Sequence, residues 1–256
     1  MEFLVRVFRF IYSLYALLVF VFLMIPVFLF SVVASLFGNI KGGNLIYKAC
    51  MVWGDVWFAL VFINHKNIYE QKPAKDASYI FLANHISFLD TPIIVKTFRR
   101  TIRPLAKIEM AKVPVFGFIY KKAVVTVDRS NAKNRSKSIQ VLKAILRKGI
   151  SILVFPEGTF NQTNQPLKEF YHGAFRIAIE TGTPIMPVLI LDSYDRMNYK
   201  SIFSLNPGRS RSVFLKEIKT EGYTTHDISL LQETVFSVME EKLRFYRASW
   251  IKEVHN

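Results

Sequence analysis

Three features of the 256-residue chain predict an α/β fold, a central mostly parallel sheet flanked by helices, with an N-terminal membrane-associated helical segment. The stretch from Phe10 to Phe37 carries no charged residue. From Ser78 onward, short apolar runs of strand length alternate with helical stretches. The polar residues able to do chemistry fall where those runs end, which is where α/β sheets gather their reacting groups.

The uncharged run follows Arg6 and Arg9 and exceeds the roughly 20 residues that cross a hydrocarbon core. It is also longer than the apolar region of a cleaved signal peptide, about 7–15 residues, so it reads as retained. Pro26 interrupts it, leaving one kinked crossing or a shallow re-entrant hairpin. Arg6 and Arg9 before the run and Lys41 and Lys48 after it do not choose between these. Gly38, Gly42 and Gly43 predict a turn. Asn44 to Phe58 then reads as a helix, with Lys48 and Asp55 on one face and Trp53 and Trp57 one turn apart. It is either an interfacial helix with its tryptophans at headgroup level or a helix packed on the main domain. The expected organisation is an anchor over residues 1–63, a polar linker from Asn64 to Ala77, and an α/β domain over 78–256.

Composition narrows the partners. The chain is 51% hydrophobic and 14% aromatic, yet carries a formal net charge of +15 and a pI near 9.9. That combination fits apolar contact with lipid tails and basic contact with anionic headgroups. Nucleic acid is not an expected partner, because no zinc-ligand spacing, RNP-like aromatic motif or helix-turn-helix signature is present. The single cysteine, Cys50, excludes an intrachain disulfide framework and a cysteine metal cluster.

In the main domain the expected strands are Tyr79–Ala83, Arg103–Lys107, Ala123–Val127, Ile150–Phe155, Ile185–Ile190 and Ser212–Leu215. The expected helices are Leu89–Phe98, Val115–Lys121, Ala132–Lys148, Tyr171–Thr181 and Asp227–Ala248. At the end of the first strand, Asn84-His85-Ile86-Ser87-Phe88-Leu89-Asp90 puts a histidine at the strand mouth and a carboxylate about one helical turn on. Asp90 can hold one ring nitrogen of His85 and aim the other at a substrate. This is half of a Ser-His-Asp arrangement, and it suits a reaction whose substrate brings its own hydroxyl. Three further strand ends deliver Lys107, Arg129, and the Glu157-Gly158-Thr159 turn. Together they suit a phosphate or carboxylate: a guanidinium fork, a point charge and backbone N–H groups. Each has an ordinary alternative, a rim charge or a plain turn. Glu157 is open to reading as a second acid-base carboxylate or as a loop anchor. Asn161-Gln162-Thr163 matches a glycosylation pattern that short stretches reach by chance.

As a set, these residues resemble the lysophospholipid acyltransferase family of PlsC type, the 1-acyl-glycerol-3-phosphate acyltransferases. The family's Asn-His-x-Ser-x-x-Asp block is similar to Asn84, His85, Ser87 and Asp90. Its second block is similar to Val125 through Arg129, its Phe-Pro-Glu-Gly-Thr-Arg block to Phe155 through Thr159, and its fourth block to Ile185-Met186-Pro187-Val188. The resemblance implies His85 and Asp90 as the catalytic pair. It implies Asn84, Ser87, Lys107, Arg129, Glu157, Gly158 and Thr159 as substrate-binding residues, and no metal or other cofactor. The implied reaction moves an acyl chain from acyl-CoA or an acyl carrier protein to lysophosphatidate on the cytoplasmic face of the cell membrane. Phe160 stands where the family carries an arginine, which keeps open another acceptor, such as a lyso-aminolipid, or a silent membrane-binding protein on the same fold.

Overall fold

Alternation of apolar side chains along the strands determines how this chain layers, since successive residues of a strand face opposite sides of its sheet. The computed structural model describes residues 2–127 and 132–252. In order, the helices are α1 (Glu2–Ala34), α2 (Gly43–Leu60), α3 (Asp90–Thr97), α4 (Phe116–Ala123), α5 (Ala132–Leu146), α6 (Gly173–Thr181), α7 (Ser193–Arg196) and α8 (Ile228–Phe245). The strands are β1 (Ile63–Tyr69), β2 (Ile80–Ala83), β3 (Ile102–Lys107), β4 (Val125–Val127), β5 (Ser151–Val154), β6 (Ile185–Ile190) and β7 (Gly208–Phe214).

The sheet runs β1-β7-β6-β2-β5-β3-β4, and every pairing is parallel except β6 with β7. Phe81 and Ala83 of β2 face one side, with Met186, Val188 and Ile190 of β6, and are covered by α1, α2, α3 and α4. Ile80, Leu82, Ile152, Val154 and Leu189 face the other side, under α5, α6 and α8. The central strands are buried on both faces, as a parallel sheet requires.

β1 is a correction to the expected linker, since Ile63–Tyr69 pairs in register with Gly208–Phe214 at the sheet edge. Its composition is polar because an edge strand covers core on only part of its surface. The next helix after β3 also shifts: α4 extends to Ala123, so β4 begins only at Val125.

α1 continues through Pro26 without a break. The chain reverses instead at 35–42, where a Cβ on Gly42 would lie 2.3 Å from Ala34 O and Gly38 adopts φ +77°. α2 then returns antiparallel along α1: the Trp57 indole donates to Ala16 O at 2.9 Å, and Phe20 packs edge-on to Trp53 at 4.7 Å. Both tryptophans are therefore buried between the helices. Asp55 on α2 pairs with Lys96 of α3 and with Arg99, tying the hairpin to the domain. α1 touches the domain along much of its length, from Phe10 against Phe203 to Phe28 against Phe118. Its outer face keeps an apolar stripe, including Leu4, Ile11, Leu18, Phe22, Leu29 and Val33, exposed.

Arg103 pins the hairpin turn to the sheet. It is buried, and it donates to Asn44 Oδ1 at 2.8 Å and to Ile40 O at 3.3 Å. Burial lowers its pKa, yet every partner here is neutral oxygen. Arg103→Ala strands those acceptors and should lower the unfolding free energy by roughly 2–4 kcal/mol, measured by denaturation in detergent. An unchanged midpoint would show that the turn does not depend on this contact.

Candidate active site

The parallel strands β2, β3 and β5 end side by side, so the residues just beyond them meet at one edge of the sheet. His85 follows β2, Lys107 ends β3, and Phe155 to Phe160 follow β5. His85 Nδ1 lies 2.8 Å from Oδ2 of Asp90, the first residue of α3. The same oxygen accepts the backbone N–H of Ile86 at 2.7 Å and of Ser87 at 2.9 Å. Two amides already donate to that oxygen, so the tautomer that completes the set carries its proton on Nδ1. Nε2 is left with its lone pair free, in the form a general base needs.

A second carboxylate holds the backbone of the histidine. Glu157 is fully buried, and its Oε1 accepts His85 N–H while its Oε2 accepts Lys168 N–H, both at 2.9 Å. Burial pushes its pKa up to about 7 against the pull of those two amides. His85 O accepts from Asn161 N–H at 2.7 Å. The imidazole itself stacks on Phe155, centroids 4.1 Å apart, and meets the edge of Phe160 at 4.4 Å. Phe155 to Gly158 closes a turn through Gly158 N–H to Phe155 O at 3.0 Å, with Pro156 at its second position.

Beyond His85 opens a cavity of about 460 Å³. Lys107, Gly158, Thr159 and Phe160 stand at its polar part, and Phe20 and Met24 of α1 with Cys50 and Trp53 of α2 contribute its apolar lining. A free imidazole nitrogen and a cation beside a long apolar space suit a substrate that is polar at one end and hydrocarbon at the other.

Residues 61–191 match the model of the family described as Acyltransferase. The chain belongs to the acyltransferase family. An acyltransferase of Schizosaccharomyces pombe is 32% identical over 211 residues, covering 80% of this chain and 74% of that protein. A 1-acyl-sn-glycerol-3-phosphate acyltransferase of Cocos nucifera is 28% identical over 166 residues, 64% of this chain. The match spans only 53% of that coconut protein. In fold, the crystal structure of the 1-acyl-sn-glycerophosphate acyltransferase PlsC of Thermotoga maritima superposes with a TM-score of 0.75 at 22% identity, over 98% of this chain and 100% of that one.

The candidate site divides the expected residues into two groups. His85, Lys107, Gly158 and Thr159 line the cavity. Asn84, Ser87 and Glu157, expected on the substrate, are buried behind it. Asn84 clamps β2 to β6 through Ile190, donating to its carbonyl at 3.0 Å and accepting its N–H at 2.8 Å. Ser87 donates to Met197 O and accepts Leu89 N–H. Arg129 lies outside the described residues. Of the other cations considered, Lys168 reaches Thr159 Oγ1 at 3.1 Å, whereas Arg176 on α6 pairs with Glu180.

Phe155, Phe160 and Asn161 contact His85 and were not among the expected site residues. The signal available for Asn161 pointed the wrong way: it is buried, and its side chain shapes the loop by accepting from Thr163 and donating to Gln165 O.

Glu157 yields a pH-dependent prediction. Its folded pKa, about 7, lies above the ordinary value of 4.5, so the folded state holds that proton more tightly than the unfolded chain. The stabilisation is fully present below 4.5 and is lost as pH rises through about 7. Glu157→Gln does not titrate, so the melting-temperature advantage of wild type over this variant should shrink by several degrees across that window. A gap that stays constant with pH would refute this.

Proposed function

We propose that this acyltransferase moves a fatty acyl chain from acyl-CoA or an acyl carrier protein to the free hydroxyl of lysophosphatidate, giving phosphatidate. The observation that carries this reading is the cavity in which His85 and Lys107 meet an apolar lining from α1 and α2. The lysolipid hydroxyl lies against Nε2 of His85. As its oxygen attacks the thioester carbonyl carbon, its proton passes to Nε2, and the imidazolium is held by Asp90 and by the face of Phe155. The new C–O bond forms, the C–S bond breaks, and the departing thiolate takes the proton back from Nε2. Lys107 holds the acceptor phosphate as a point charge, with Lys168 beside Thr159 near it. Arg129 remains in the proposal as a further phosphate ligand.

The exposed apolar stripe of α1 supports attachment to the membrane. Because α1 flanks the domain instead of projecting from it, the hairpin rests in one leaflet with its outer face in the acyl chains. We infer that the domain sits on the cytoplasmic side, where acyl-CoA and acyl carrier protein are made. Phe160, a ring against His85 where the family carries a cation, favours as a second reading an acceptor without a phosphate monoester, such as a lyso-aminolipid.

Two measurements test the reading. With lysophosphatidate and a thioester donor, His85→Ala should lower thiol release by roughly 10²–10⁴-fold while the fold persists. Lys107→Ala should raise KM for lysophosphatidate roughly tenfold or more, the worth of one hydrogen bond to a charged group, and alter an uncharged monoacylglycerol acceptor far less. Unchanged turnover in the first variant removes the base. Equal losses for both acceptors in the second remove the phosphate contact.

A further inference from the structure

A second cavity of about 490 Å³ lies between α1 and α2 and shares Trp53 with the lining of the catalytic one. Leu23, Val27 and Phe30 of α1 and Ala49, Val52 and Val56 of α2 line it at helical spacing, so each helix gives it one face. The only charged residue in its lining is Lys48, which is exposed and has no ion-pair partner among the described residues. Trp53 lines both cavities.

The indole of Trp53 is 7% exposed, and its Nε1 is buried without an acceptor. Its neighbour Trp57 bonds the same group to Ala16 O. A buried donor left unpaired costs about 1–3 kcal/mol, so the present orientation of Trp53 is less favourable than a fully bonded one and turning it sacrifices no hydrogen bond.

We propose that the groove is a second hydrocarbon site, holding the tail of a bilayer lipid whose anionic phosphate rests on Lys48, and that Trp53 is the partition through which the tail of such a lipid, when it is the lysophosphatidate acceptor, passes to the catalytic cavity. The apolar walls match a tail, the lone cation matches an anionic headgroup, and the shared wall joins the groove to the reacting centre. The passage rests on reading that centre as an acyl-transfer site; occupation of the groove does not.

The test uses the full chain in phosphatidylcholine vesicles doped with phosphatidylglycerol bearing dibrominated tails. Tryptophan emission of the His85→Ala protein should be quenched. Ala49→Phe and Val52→Phe, which fill the groove without touching the catalytic cavity, should at least halve that quenching, and Val52 is exposed enough to accept the larger ring. Lys48→Gln should remove the preference for brominated phosphatidylglycerol over brominated phosphatidylcholine. In active protein, the filled variants should acylate long-chain lysophosphatidate in vesicles about tenfold more slowly, the worth of roughly two excluded methylene groups, and treat a short-chain soluble acceptor as wild type does. Quenching unchanged in both filled variants, or equal losses on both acceptors, overturns the proposal. Wild-type protein that transfers nothing while showing the expected quenching pattern would overturn the acyl-transfer reading and the passage, and leave the groove occupied.

Discussion

One carboxylate oxygen sets both the shape and the chemistry of the site. Oδ2 of Asp90 gathers the Ile86 and Ser87 amides and the His85 ring in a space closed to solvent. Burying a carboxylate costs several kcal/mol, and these donors offset that cost. Because the amides define where the oxygen sits, they also define where the imidazole can point. Only Oδ2 is used, Oδ1 being buried without a partner among the described residues, so an asparagine could supply the accepting oxygen but not the negative charge that complements an imidazolium. Loop folding and tautomer choice are therefore one event, completed before substrate arrives.

Glu157 does a related task from the opposite side. Both of its oxygens are committed to backbone amides, so what it does in this structure is hold His85 in place. With Asn161 on the carbonyl of His85 and two phenylalanines on its ring, the base is fixed at backbone, ring edge and ring face. For the proposed general base, an orientation fixed beforehand means little reorganisation in the transition state. The cost appears in the pKa of Glu157, which burial holds near neutrality.

What the sequence disclosed about this site follows the range of the interactions involved. His85 and Asp90 were readable because their contact is local, and β2, β5 and β6 because doubly buried strands leave unbroken apolar runs. The roles of Asn84 and Ser87 were not, since their partners Ile190 and Met197 lie far along the chain. β1 was hidden for a similar reason: its polar sequence makes a strand only because β7 supplies the other half of the ladder. Trp53 and Trp57 show the ambiguity of an aromatic pair at helical spacing, which fits a lipid interface and a helix seam equally well until α1 is placed against it.

That placement bears on how the N-terminal segment works. Ala16, Met24 and Val27 of α1 belong to the same continuous cluster as Phe81 of β2 and Phe214 of β7, so the packing has no boundary where an anchor would end and a domain begin. The helices that present an apolar face outward also wall the catalytic cavity. A hydrocarbon chain entering the cavity therefore packs against residues whose positions depend on α1 and α2 staying in register. Any force that shifts the hairpin acts on the cavity wall directly. The exposed apolar face of α1 and the wall of the cavity are, on these contacts, two sides of one helical hairpin.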